Sequence, residues 1–179
     1  MPNLKGIQQF AEVDVVNLFA FSGNFPVEKG TFVKIVSGWN AEQDLQMIGN
    51  PGIQVNNTVS QRYGVAAKIA ACNGSGDAAV GMLLYKGAEV DENGEKLIYN
   101  PRKAVEMEVF LTGQAAPFVT KGVFYYSGVA GAVTPGAAAY LGTDGGLNVS
   151  GSSSSTATKV GKFLGHKDAA GFVLFKLEL

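Results

Sequence analysis

Apolar and polar residues alternate with a period of two over much of this chain. In residues 172–179, Val173, Phe175, Leu177 and Leu179 fall on one side, while Lys176 and Glu178 fall on the other. In residues 105–111, Val105, Met107, Val109 and Leu111 oppose Glu106 and Glu108. Side chains alternate across a strand, so both segments predict half-buried strands. Residues 31–37 repeat the pattern with Val33 and Ile35 inward. Further strands are predicted over 13–21, 63–72, 79–85, 95–99, 123–127 and 159–164. Within 63–72 the alanine-rich run favours strand, because Val65, Ala67, Ile69 and Ala71 alternate with Ala66, Lys68 and Ala70. Helix is confined to 40–47, with Asn40 as N-cap and Gln43 at the third helical position.

Many short strands separated by Gly, Asn, Asp and Pro predict an all-β fold, either a sandwich or a partly open barrel, with little helix. The Asn93-Gly94 pair between Glu92 and Glu95 predicts a hairpin turn with positive φ at both central residues. Gly49-Asn50-Pro51-Gly52 and Asp144-Gly145-Gly146 mark loops. Residues 1–26 read as an N-terminal arm or added edge strand preceding a β domain over 27–179. Residues 150–158, mostly serine and threonine, read as a surface loop. Lys29-Gly30-Thr31-Phe32 echoes Lys121-Gly122-Val123-Phe124, and Val80-Gly81 echoes Val160-Gly161. Two related β units, 27–100 and 101–179, would account for this, as would the simple recurrence of strand and turn.

Composition narrows the function. With 14 basic and 15 acidic residues and no basic stripe, the chain lacks the charge pattern of a nucleic-acid binder. Only 16% of residues are charged and 24 of 179 are glycine, which suits a surface largely covered by neighbours and predicts a homo-oligomer. A small β domain with modest surface charge would also fit. The most apolar region, 122–142, is broken by Gly128, Gly131, Pro135 and Gly136, so no membrane span is expected. The first ten residues carry no signal-peptide pattern, which predicts synthesis in the cytoplasm.

Candidate chemistry is sparse. Cys72 and His166 are the sole residues of their kinds, which excludes an intramolecular disulfide and the usual Cys- and His-rich zinc sites. His166 lies in what reads as a polar turn between two strands, and no Gly-x-Ser-x-Gly elbow or P-loop is present. Asp91-Glu92-Asn93-Gly94 places its glycine too early for an EF-hand loop. Glu106 and Glu108 would lie about 7 Å apart on one strand face, with nothing there to raise a pKa. The expectation is therefore a chain that is not an enzyme and needs no cofactor or metal. Interface candidates are Phe10 in the arm, Trp39 after a strand, the basic pair Arg102 and Lys103, and Tyr125 in an aromatic run. Trp39 serves equally as an interface anchor or as a plug for an open barrel end.

The stretch 80–129, which includes Val80-Gly81-Met82-Leu83-Leu84, Asn100-Pro101-Arg102-Lys103-Ala104 and Lys121-Gly122-Val123-Phe124, resembles virion structural proteins of tailed phages. With Val160-Gly161-Lys162-Phe163-Leu164 and the 170–177 strand, it is similar to head decoration (cement) proteins of the lambdoid type. That resemblance implies a β-tulip-like domain on the outer surface of an icosahedral head. It also implies the major capsid protein as partner, and trimers or dimers at local symmetry axes. A tail, connector or head-fibre component is the alternative within phage assemblies. A carbohydrate-binding β module presenting Trp39 and Tyr125 is another.

Overall fold

Strand accounts for 43% of the described residues and helix for 8%, so the protein is all-β, with mixed sheets of which one curls into a half-barrel. The computed structural model describes residues 2–38, 67–149 and 157–179. Trp39, the helix expected over 40–47, the 49–52 loop signal and most of the serine-rich segment lie outside the described residues.

The strands in chain order are β1 (Asn3–Gln9), β2 (Val15–Val16), β3 (Ala20–Phe21), β4 (Phe32–Ser37), β5 (Lys68–Ala71), β6 (Ala79–Leu83) and β7 (Lys86–Gly87). They continue with β8 (Val109–Phe110), β9 (Phe118–Val119), β10 (Lys121–Ser127), β11 (Val129–Ala130) and β12 (Ala138–Leu141). The last three are β13 (Leu147–Asn148), β14 (Lys159–Phe163) and β15 (Val173–Glu178). A seven-stranded sheet runs β1-β10-β15-β14-β12-β13-β11, and a six-stranded sheet runs β2-β9-β6-β4-β5-β3. β7 and β8 form a separate parallel pair. β1 folds back antiparallel to β10 as an edge strand of the larger sheet, and only Leu4 along it is buried. The chain passes between the two sheets at Thr120, whose N–H donates to Asp14 O and whose carbonyl accepts from the Leu179 N–H.

Side-chain alternation explains how the layers stack. In β15, Val173, Phe175 and Leu177 are buried while Lys176 and Glu178 are exposed, as the period-two pattern requires. In β10, Phe124 and Tyr126 point into the same core. These residues pack against Phe32, Met82 and Val119 of the six-stranded sheet. The opposite face of that sheet carries Val33, Ile69, Leu83 and Phe118, which pack on Phe21, Val27 and Phe110. The six-stranded sheet is therefore buried on both faces, which is why its strands read as short apolar runs.

Three expectations are corrected. Residues 105–111 do not form one strand. Pro101–Glu106 is an α-helix (α1), and Val105 is 78% exposed. Pro101 supplies a favourable first helical position, Ala104 is the buried residue, and Glu108 then takes a left-handed φ of 51° that ends the turn before β8. Residues 95–99 contain a 3-10 turn at Leu97–Tyr99 instead of a strand. Ile35 is exposed although it pairs in register with Ile69, so inward burial along β4 stops at Val33.

A close approach holds β14 against β15. A Cβ built on Gly161 would lie 2.0 Å from Lys176 O and 2.8 Å from the Phe175 ring. Gly161→Ala should therefore cost about 1–3 kcal/mol, read as a lower urea midpoint with an unchanged m-value. Tyr126 Oη is buried without a hydrogen-bond partner among the described residues. Removing an unpaired buried hydroxyl relieves its desolvation cost, so Tyr126→Phe should raise stability by about 1 kcal/mol in the same assay. A destabilised Tyr126→Phe would show that the hydroxyl is satisfied in solution.

Candidate functional site

Two surface features gather the sequence-predicted residues. The first is a small unit formed by β7, β8, the 3-10 turn and α1, with its own core of Ala88, Leu97, Ala104, Val109 and Leu111. Its turn is organised by Asp91, whose side chain is fully buried. Asp91 Oδ1 accepts the N–H groups of Asn93 and Glu95, each at 2.8 Å, and Oδ2 accepts a short hydrogen bond from Lys103 Nζ. Lys103 Nζ also lies 3.5 Å from Glu92 Oε1. The Lys103 ammonium thus ties α1 to the turn. Arg102 is exposed and pairs along the helix with Glu106 at 2.9 Å. The same unit of some two dozen residues carries Ile98, Tyr99, Val105 and Val90 as solvent-exposed apolar side chains.

The second feature lies on the outer face of the seven-stranded sheet. Tyr125 Oη donates a short hydrogen bond to Asp168 Oδ2, and its ring stacks on Phe172 at 5.1 Å. Lys5 Nζ of β1 sits 5.6 Å from the centre of the Phe172 ring. Asp168 Oδ1 accepts the N–H groups of Ala170 and Phe172, at 2.9 and 2.7 Å. Tyr125 is therefore half-buried and spends its hydroxyl and one ring face on its own loop. Phe10 is 39% exposed and stacks on the buried Phe124 at 5.9 Å, closing the core beside β1. The structure brings Arg102 and Lys103 onto one helix, and places Phe10 just after β1 and Tyr125 on β10.

The two aspartates do the same work. In Asp91-Glu92-Asn93-Gly94-Glu95 and Asp168-Ala169-Ala170-Gly171-Phe172, the carboxylate accepts from the second and fourth following N–H groups. The glycine three residues on has φ of 82° in one turn and 84° in the other. Asn93 does not share the positive φ, so the turn is a three-residue loop closed by a glycine bulge, not the two-residue turn expected. The signal was present as Asp-x-x-Gly in both places, and reading Asn-Gly alone missed the aspartate.

Other predicted sites separate. Glu106 faces Arg102, whereas Glu108 lies 3.8 Å from Lys29 beyond the helix, so the two do not share a strand face. His166 is exposed in the loop between β14 and β15. Burial, with the nearby Asp77 carboxylate adding to it, pushes the Cys72 thiol up to about 12, so it stays protonated. Asp77 accepts from Lys34 Nζ at 3.0 Å and from the N–H groups of Asn73 and Gly74. Burial works to raise its carboxyl, but these donors outweigh burial and hold it below its ordinary value. Among the described residues no group of three or more His, Cys, Asp or Glu side chains is placed to hold a metal ion. No helix there is long and apolar enough to cross a membrane.

No protein-family model and no curated protein sequence matches this chain.

The Lys103 hydrogen bond, helped by the Glu95 and Asn93 amides, holds the Asp91 carboxyl below the usual carboxylate range against burial. A depressed folded-state pKa contributes stability that is present above the unfolded value of about 3.9 and is lost as pH falls through the folded one. The thermal midpoint should therefore drop steeply below about pH 4. Asp91→Asn should lower the midpoint at neutral pH and flatten the acid limb in calorimetry. An acid limb as steep as wild type would remove Asp91 from this role.

Proposed function

We propose that this chain is a non-enzymatic virion structural protein that binds the outer surface of a phage capsid and stabilises the assembled head. The observation that carries the reading is the unit around α1. Ile98, Tyr99 and Val105 stand exposed beside Arg102 on a platform that is internally tied by Asp91 and Lys103. Exposed apolar side chains on one small, internally tied unit favour a contact with another protein. The resemblance of residues 80–129 to decoration proteins supplies the class of partner, the major capsid protein. A protein that binds only the assembled shell stabilises it by mass action, site after site, without catalysing anything. Homo-oligomers at local symmetry axes would multiply these contacts.

Mixing the purified protein with expanded, undecorated heads should add density to the outer surface by electron microscopy. Tyr99→Ser combined with Val105→Ser should weaken that binding by tenfold or more, an effect of about 1.4 kcal/mol or above. Bare heads after mixing with wild-type protein would defeat the proposal, and full occupancy by the double variant would remove the α1 unit from the contact.

A further inference from the structure

The chain contains two Asn-Gly pairs, Asn73-Gly74 and Asn93-Gly94, and the structure treats them differently. In this dipeptide the glycine amide nitrogen can attack the asparagine side-chain carbonyl carbon. The nitrogen gives its proton to water, Nδ2 takes one from water, the bond from Cγ to Nδ2 breaks, and ammonia leaves. The resulting succinimide is then opened by water to aspartate or isoaspartate. No oxidant or enzyme is required, so local geometry alone sets which pair reacts.

At Asn73 the reacting groups are held in place. Asn73 Oδ1 accepts Lys34 Nζ at 2.9 Å, and the Gly74 N–H donates to Asp77 Oδ2 at 3.0 Å. The attacking nitrogen is directed at a carboxylate, and the side-chain amide is anchored on a different strand. The segment is closed further by the Asp77 N–H, which donates to Gly74 O at 3.1 Å.

Asn93 stands at the tip of an exposed turn, and its side-chain amide makes no hydrogen bond to the described residues. Only a long 3.2 Å bond to Asp91 O engages the Gly94 N–H. A Cβ built on Gly94 would meet nothing within 4 Å, so the ring that must form has open space.

We propose that Asn93 is a site of spontaneous succinimide-mediated modification in this protein, and that the Lys34–Asn73–Asp77 cluster protects Asn73 from the same reaction. The consequence falls on the α1 unit. Isoaspartate at position 93 inserts an extra backbone carbon between the two N–H groups that Asp91 Oδ1 accepts, loosening the turn to which Lys103 anchors the helix.

Trypsin separates the two sites, since cleavage after Lys68, Lys86 and Lys96 puts Asn73 in peptide 69–86 and Asn93 in peptide 87–96. The full-length protein, aged in mildly alkaline buffer and then digested, should show conversion in 87–96 about tenfold faster or more than in 69–86. Labelling by an isoaspartate methyltransferase should follow the same peptide. Asp77→Ala should bring the Asn73 rate up toward that of Asn93. If that variant fails to fold, Lys34→Met takes its place; it frees the Asn73 side chain and removes the ion pair to Asp77 but leaves the Asp77 carboxylate that accepts the Gly74 N–H. Equal rates at the two asparagines, no conversion at Asn93, or an Asn73 rate indifferent to both variants would overturn the proposal.

Discussion

Phe175 sits where the two sheets meet, and the packing of the molecule is arranged around its ring. Phe32 of the six-stranded sheet approaches it edge-on at 6.4 Å, and Tyr126 and Phe163 flank it from the neighbouring strands at 6.0 Å each. β15 lies between β10 and β14, so one side chain on a central strand couples three strands of one sheet to the other sheet. Gly161 on the neighbouring strand leaves room for the ring, since a Cβ there would lie 2.8 Å from it. Truncating a buried Phe typically costs about 3–5 kcal/mol. Here the loss would fall on every layer contact at once, since Tyr126, Phe163 and Phe32 are themselves fully buried around it.

The sandwich leaves its loops to be ordered by other means, and short polar side chains supply the order. Asp91 and Asp168 each hold a five-residue turn with one carboxylate oxygen and reach a distant donor with the other: Lys103 in the first case, Tyr125 in the second. Asp77 organises the loop after β5 in a related way and joins it to β4 through Lys34. Each has its pKa depressed: the Lys103 hydrogen bond leads for Asp91 and the Tyr125 hydroxyl for Asp168, with backbone N–H groups adding, while at Asp77 backbone amides and Lys34 outweigh burial. In the first of these turns the same carboxylate also ties α1 to the loop through Lys103.

The strongest alternation was the most legible. Residues 172–179 and 123–127 became β15 and β10 with the inward residues expected, because both strands have one face on the core and one in solvent. The six-stranded sheet was harder to read face by face. With both sides buried, Phe32 and Val33 are each apolar and neither marks the inside. Residues 105–111 misled for a different reason. Val105, Met107, Val109 and Leu111 alternate by coincidence across a helix end, a left-handed residue and a two-residue strand, and only Pro101 marked the helix. Of the surface candidates, Arg102 is freely exposed, while Lys103 and Tyr125 are engaged by aspartates far off in sequence, contacts that no local pattern reveals.

These engagements bear on how specific such a surface can be. An exposed lysine or tyrosine loses side-chain freedom when a partner immobilises it, at about 0.5–1.5 kcal/mol for each rotamer-rich group. Lys103 and Tyr125 are already fixed in the folded chain, so that loss has been met before any partner arrives. The exposed residues beside Lys103 are Tyr99 and Val105, a stiff aromatic and a β-branched aliphatic, with Arg102 steadied by Glu106. Such a surface has little freedom left to surrender. Its affinity for a flat protein partner would then depend on shape and apolar area, with Arg102 and the exposed Glu92 and Glu106 setting which charges the partner must present.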